Sequence, residues 1–367
     1  MSPEKMLAHI LSFPTVVGQP NGDLIAALKA YLEEHGAACT VIPGPEGDRS
    51  NLFATLGPKD VPGYIFSGHV DVVPAGEPEW LGDPFTLRRE GERLIGRGAC
   101  DMKGFVAAVL AAVPELAKLD LKRPVHFAIS YDEEAGCRGV PHMIARLPEL
   151  CATPLGCIVG EPSNMTPVLR HKGKVTMKVT ARGVPGHSSR TDLGQNAIHM
   201  LVPALAAAAQ AAEDLKSDAQ DAHFAPPYST MQVGTVGGGQ AVNIIPDRAE
   251  ALIEARAIPG VDPIDLFAPL QAAAPDLGFE AISSYPALAT EESHPLAALL
   301  EGLTGKAPLA AVSYGTEAGL FQAAGVPSIV CGPGDISRAH KPEEYITVGE
   351  LDAAYHLALD LGHRLAL

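Results

Sequence analysis

RGACDMKGFVAAVLAAVPELAKLDLKRPVHFAISYDEEAG, residues 97–136, is the stretch on which the reading of the chain turns. Its middle, GFVAAVLAAVPELAKL (104–119), is apolar almost all round and predicts a buried helix. The run PVHFAIS (124–130) is short and apolar, the pattern of a buried strand. A buried helix leading into a buried strand, with Asp101 before the one and Glu133 and Glu134 after the other, is one repeat of an α/β sheet with its polar residues at the strand ends. Outward from there, helices are expected at 3–12 and 23–35, the second ended by Gly36. Extended runs are expected at ACTVI (38–42), NLFATL (51–56), GYIFSG (63–68) and GCIVG (156–160). The alternation implies an α/β fold: a mixed, largely parallel sheet covered by helices on both faces.

Between 171 and 288 the order changes to strand (173–181), helix (195–215), strands (229–236 and 248–257), helix (262–274) and strand (279–288). That is β-α-β-β-α-β, the ferredoxin-like order. Helix and strand alternation then resumes, with VPSIVCG (326–332) and a last helix near 348–364. The expected organisation is a catalytic domain of residues 1–170 plus 289–367 that carries an inserted ferredoxin-like domain, 171–288. A length of 367 residues agrees with two domains.

Lys and Arg number 27 against 43 Asp and Glu, a formal net charge of −16, which disfavours nucleic acid and anionic membrane surfaces as partners. No apolar run reaches eighteen residues; the nearest, 197–212, contains His199, Pro203 and Gln210. The opening MSPEKMLAHILSFP places Glu4, Lys5 and His9 where a signal peptide would be apolar, so a cytoplasmic protein is expected. Six cysteines without C-x-x-C spacing read as reduced core residues.

Ligand-type residues gather where apolar strands end: SGHVDVVP (67–74), RGACDMKG (97–104), YDEEAG (131–136), VGEP (159–162) and the later SRAHKPEEYI (337–346). His69 and Asp71 share a strand face, so the Asp71 carboxylate is expected to take the second ring N–H of a metal-bound imidazole; the plainer alternative is a core histidine bonded to a local aspartate. Asp101 is either a ligand or a carboxylate helped by the helix that follows it. Adjacent Glu133 and Glu134 repel each other, which a cation would relieve, one glutamate binding it and the other staying free as a base; a solvated loop is the alternative. Glu161 and His340 are weak signals singly. Together these residues form a mixed N/O set suited to zinc, cobalt or manganese and poor for calcium. Five ligands suit two divalent ions sharing a carboxylate, whose natural task is hydrolysis of an unactivated amide.

SGHVDVVP, RGACDMKG, DEEAG, GEP and the late AHKPEEY, in this order, resemble the dinuclear zinc peptidase family of aminoacylases, carboxypeptidases, desuccinylases and acetylornithine deacetylases. GEPSNMTPVLRHKG (160–173), GVPGHSSR (183–190), VSYGTEAGLF (312–321) and GPGDISRAHKPEEY (332–345) look most like the acetylornithine deacetylase branch. The resemblance implies a bridging Asp101, with His69 and Glu161 completing one metal and Glu134 and His340 the other. It makes Glu133 the general base and Asp71 the residue that orients His69, and takes Cys100 as packing with a redox-sensitive neighbour as the alternative. It further implies that His187 stabilises the oxyanion, reaching a partner subunit's site in dimeric relatives, and that Asn243 and Arg256 contact substrate, Arg256 by a fork on its α-carboxylate. The plainer reading of Arg256 is a pair with Glu254. Glu317, beside Gly315 and Thr316, is expected to attract a cationic substrate side chain, or else to open a helix at 316–324. The implied activity is metal-dependent deacylation of a small N-acyl amino acid, N-acetyl-L-ornithine first, in arginine biosynthesis, with a homodimer through the inserted domain. The alternatives are a succinyl-diaminopimelate desuccinylase or general aminoacylase, with Arg170, Lys172 or Arg190 at a succinyl group, or a non-catalytic metal-binding protein on the same fold.

Overall fold

Every residue from Lys103 to Ala111 is buried in the computed structural model, which describes residues 1–367, and this accounts for a helix with no polar face. In chain order the main elements are α1 (Pro3–Leu11), α2 (Gly22–Glu34), β1 (Ala38–Pro43), β2 (Ser50–Leu56), β3 (Tyr64–His69), α3 (Lys103–Ala111), β4 (Val125–Ser130) and β5 (Gly156–Pro162). Next come β6 (Gly173–Arg182), α4 (Ala197–Asp214), β7 (Thr230–Gly238), β8 (Arg248–Ala257), α5 (Ala268–Ala273) and β9 (Gly278–Tyr285). The chain ends with α6 (Pro295–Thr304), α7 (Ala318–Ala323), β10 (Ser328–Gly332) and α8 (Val348–Leu365). It divides into two compact units, Met1–Arg170 with Thr290–Ala310 and Thr316–Leu367, and His171–Ala289 with Ala311–Gly315. Residues 311–315 therefore sit with the inserted segment, not with the catalytic segment to which the sequence reading gave them.

The first unit is built on a six-stranded sheet in the order β1-β2-β4-β3-β5-β10. The first two pairings are antiparallel and the last three parallel, so the sheet is mixed and its parallel part lies where the polar residues gather. His69 stands level with Ser130 and Ser67 with Val159, so β4, β3 and β5 all end at one edge. Beneath them α3 packs against α1, α8 and β3. The approach is close: a Cβ at Gly160 would lie 1.9 Å from the Phe105 ring, so only glycine lets β5 run over the helix just before Glu161.

The second unit carries an antiparallel sheet in the order β7-β8-β6-β9, with α4 and α5 packed together. Val175, Met177, Val179, Leu201, Ile253, Phe267 and Leu270 form its separate core. Element order is β-α-β-β-α-β, as the periodicity predicts.

Three local expectations are corrected. The helix expected over 104–119 breaks after Ala111, and a short helix, Val113–Leu116, begins with Pro114 in its first turn, where the missing N–H does no harm. The expected helix 262–274 is a 3-10 turn, Asp265–Phe267, followed by α5, with Pro269 again in the first turn. The last strand of the insertion stops at Tyr285, because Pro286 has no N–H to give the ladder. A small sheet of Arg88–Glu90, Arg93–Ile95 and Tyr345–Thr347 was not expected; three-residue strands carry no readable alternation. No helix is long and apolar enough to cross a membrane.

His126, in the middle of β4, is fully buried against Phe53, and its Nδ1 pairs with Thr55 Oγ1 at 2.9 Å. Burial holds its pKa down at about 4. The folded state therefore binds the proton more weakly than the unfolded chain, and the stability present above pH 6.5 is lost as pH falls toward 4. Urea unfolding at pH 7 and pH 5 should show that His126→Asn loses about 1–2 kcal/mol less than the parent over this interval. Equal losses in the two proteins would refute the assignment.

Candidate metal centre

His69 is the last residue of β3, Glu161 the penultimate residue of β5, and Glu133 and Glu134 lie in the turn after β4. Asp101 precedes α3, and His340 lies in the loop after β10, in the left-handed region at φ 60. Five separate chain segments thus converge at one sheet edge.

Asp101 sits between the two imidazoles. Its Oδ1 is 3.2 Å from His69 Nε2 and its Oδ2 3.3 Å from His340 Nε2. Glu161 Oε1 lies 3.7 Å from His69 Nε2, and Glu134 Oε1 lies 2.8 Å from His340 Nε2. The ligand atoms of His69, Glu133 and Glu161 fall within 4.8 Å of one another, as do those of His69, Asp101 and Glu134. Glu133 is therefore on the His69 and Glu161 side, where its carboxylate also accepts the Cys137 thiol at 3.2 Å.

Burial disfavours ionisation of Asp101, but bonds from His340 and His69 hold it below the usual carboxylate range. Burial disfavours the His69 imidazolium, yet Asp101, Asp71, Glu161 and Glu133 push its pKa well above the usual value. His340 is held at about 10 by its bonds to Asp101 and Glu134. Glu133 goes the other way: burial lifts its carboxyl to about 8, with His69 opposing and Glu134, Asp71 and Asp101 adding to the rise. Glu161 is raised well above its ordinary value by burial and by Asp101 and Glu133. Without cations, protons must neutralise this packed acid cluster. Two imidazoles among carboxylates, one carboxylate facing both, form a donor set that fits divalent zinc-like ions.

Asp71 has a different task from the one expected. The Nδ1 of His69 is paired with the backbone oxygen of Asp71 at 2.9 Å, while the nearer carboxylate oxygen is 3.6 Å away. That carboxylate instead accepts the N–H groups of Glu133 and Glu134, each at 3.1 Å, so Asp71 fixes the turn that carries both glutamates. Burial lifts its pKa to about 6.

Glu317 also requires correction. It has no exposed surface, and its two carboxylate oxygens accept the hydroxyls of Ser67 on β3 and Ser130 on β4. It clamps two strand ends from inside the core and offers no oxygen to a substrate cation. Thr316 is equally buried, its Oγ1 accepting the Ala318 N–H at 3.1 Å, and Glu317 stands at the start of α7, the plainer alternative the sequence allowed. Gly315 belongs to the second unit, where a Cβ would lie 2.4 Å from the Tyr285 ring. The Cys100 thiol donates to the Asp335 carbonyl at 3.4 Å, and burial pushes its pKa up, as packing requires.

His187, Asn243 and Arg256 lie in the second unit. His187 pairs with Ile244 across two short strands, its Nδ1 bonds Ser189 Oγ at 2.7 Å, and the Ser188 N–H reaches the Asn243 carbonyl at 3.1 Å, so these exposed residues are neighbours. Arg256 Nε donates to Glu254 at 2.9 Å, the plainer pairing the sequence allowed, and its Nη1 reaches the Ser313 carbonyl at 3.5 Å.

Two residues escaped the sequence reading. Cys137 had no signal beyond its place four residues after Glu133. Glu344 lies inside the HKPEEY run, but nothing there separates it from Glu343.

A shared carboxylate between two imidazoles, at the strand ends of an α/β sheet and beside a buried glutamate, defines a metal-dependent hydrolase. Residues 65–363 match the family described as peptidase family M20/M25/M40, and the chain belongs to that family. It is 33% identical over 349 residues to an acetylornithine deacetylase of Proteus mirabilis (strain HI4320), covering 92% of this chain and 89% of that one. An M20 family metallo-carboxypeptidase, Sso-CP2, of Sulfolobus solfataricus shares the fold with a TM-score of 0.79 at 20% identity over the whole of both chains. The Bacillus subtilis YXEP protein, a dinuclear metal binding peptidase of the M20 family, gives 0.63 at 16% identity over 98% of this chain and 97% of that one.

Proposed function

We propose that this chain removes the acyl group from the α-nitrogen of a small N-acyl amino acid, converting N-acetyl-L-ornithine to L-ornithine and acetate, with two zinc ions as cofactors. The observation that carries the reading is Asp101, whose two oxygens face different imidazoles, with Glu133 alongside. Two bound cations would polarise the scissile carbonyl and acidify water. Glu133 takes the proton of the attacking water and passes it to the leaving nitrogen, a task its place beside His69 and Glu161 allows. By family resemblance His187 is assigned to the oxyanion, and Asn243 and Arg256 to the amino-acid part of the substrate.

An uncharged acyl group is supported by the state of Lys172, one of the cations that a succinyl group would need. Its Nζ donates to the carbonyls of Pro226 and Tyr228. Six unpaired cysteines support a reducing compartment, the cytoplasm. Cobalt or manganese would suit the same donors, and a homodimer through the second unit completes the reading.

The test is amine release from N-acetyl-L-ornithine, N-acetyl-L-methionine and N-succinyl-L,L-diaminopimelate by chelated and by zinc-restored protein. Zinc-dependent turnover with kcat/KM highest for N-acetyl-L-ornithine, and about 10²-fold or more lower for the succinyl compound, is expected. Turnover led by the succinyl compound would overturn the acyl-group argument and leave the amidohydrolase standing.

A further inference from the structure

Glu344 lies four residues after His340 and is 1% exposed, yet its carboxylate touches no metal-ligand side chain. It meets four donors instead. Oε2 accepts Arg97 Nη1 at 2.9 Å and the Gly98 N–H at 3.1 Å; Oε1 accepts the N–H groups of Cys100 and Asp101, each at 2.9 Å. One side chain therefore gathers the backbone of 98–101 around itself and ends on the amide of Asp101.

The clamp is itself fixed. The backbone oxygen of Glu344 accepts the Gly96 N–H at 2.9 Å, and the next residue, Tyr345, pairs with Ile95 in the small sheet. Arg97, also 1% exposed, is held from the far side by Glu77 at 3.2 Å and the Pro74 carbonyl at 3.3 Å, with its guanidinium over Trp80. The buried charge of Arg97 accounts for a carboxylate at residue 344, but not for the second oxygen being spent on the amides of Cys100 and Asp101, next to a metal-ligand side chain.

We infer that Glu344 is the positioning residue of the Asp101 bridge: its carboxylate holds the 98–101 turn so that Asp101 Oδ1 faces His69 and Oδ2 faces His340. The inference rests on the dinuclear reading above, which the parent protein's own metal content tests separately. It assigns to Glu344 an action through Asp101 and no contact with substrate.

Glu344→Gln keeps the size but offers one acceptor oxygen to four donors. Glu344→Asp keeps the charge opposite Arg97 but is one methylene too short to hold Arg97 and the amides together. Zinc affinity by chelator competition, kcat and KM, far-ultraviolet circular dichroism, and electron paramagnetic resonance of the cobalt-loaded proteins would be compared with the parent. In folded variants, zinc affinity and kcat should each fall by about 10–100-fold with KM within about threefold, and the magnetic coupling of the cobalt pair should weaken. Loss of coupling in a folded variant is a signature that a purely structural role would not give. Two ions in the parent, with affinity and coupling unaltered in both variants, would overturn the Glu344 assignment alone. A parent binding one ion would remove the bridge and both readings with it, and two variants that fail to fold even with zinc would assign Glu344 to folding instead.

Discussion

Glu133→Gln should lower kcat by about 10²–10⁴-fold while the chain keeps its full complement of metal and KM stays within about threefold. The substitution preserves volume and removes only the ability to take up and release a proton. The turn carrying residue 133 is held by Asp71 through the backbone N–H groups of residues 133 and 134, so its position does not depend on the charge lost. The Cys137 thiol, 3.2 Å from Glu133 Oε1, finds an acceptor in the amide oxygen as well. The result discriminates between two roles, because the ligand atom of Glu133 also clusters with those of His69 and Glu161 within 4.8 Å. Loss of one metal ion, read by elemental analysis, would make Glu133 a ligand; kcat within tenfold of the parent would remove it from proton transfer.

Much of the site was legible because metal chemistry selects residue types that core packing avoids. Adjacent acids after a buried strand, Glu133 and Glu134, are costly unless a cation is near, and that cost is visible in one dimension. What the sequence could not carry was which atom of a residue does the work. His69 and Asp71 do lie two apart, but the backbone oxygen of Asp71 lies closer to the ring nitrogen than its carboxylate does. Glu317 illustrates the opposite error. Nothing beside it in sequence reveals its partners, Ser67 and Ser130, which are some two hundred residues away and bury it. The fold was more readable than the site's supports, since β3, β4 and β5 are buried along nearly their whole length and mostly apolar, while the strands around residues 88–95 and 345–347 are too short to show a period.

Asp101→Ala should abolish tight binding of at least one of the two ions and reduce turnover more than any other single change at a ligand, because the two oxygens of Asp101 lie within 3.3 Å of the two imidazoles. His69 would keep Glu161 at 3.7 Å and His340 would keep Glu134 at 2.8 Å, but each half would lose the carboxylate it shares with the other. Metal binding that favours the folded chain adds stability of about 2.7 kcal/mol for each site held at a hundredfold excess over its Kd. Adding a chelator to the zinc-loaded parent should therefore lower Tm by several degrees, and zinc should restore it. In Asp101→Ala the same additions should move Tm by less than half as much, since little bound metal remains to be removed. The metal-free proteins supply the control: Asp101 is held in its charged form by bonds from both histidines, so its removal also costs the metal-free fold some stability, and only the chelator-dependent difference reports on the bridge. An Asp101→Ala protein whose Tm responds to chelator and zinc as fully as the parent's would show that His69 with Glu161 and His340 with Glu134 bind their ions independently, with no shared carboxylate between them.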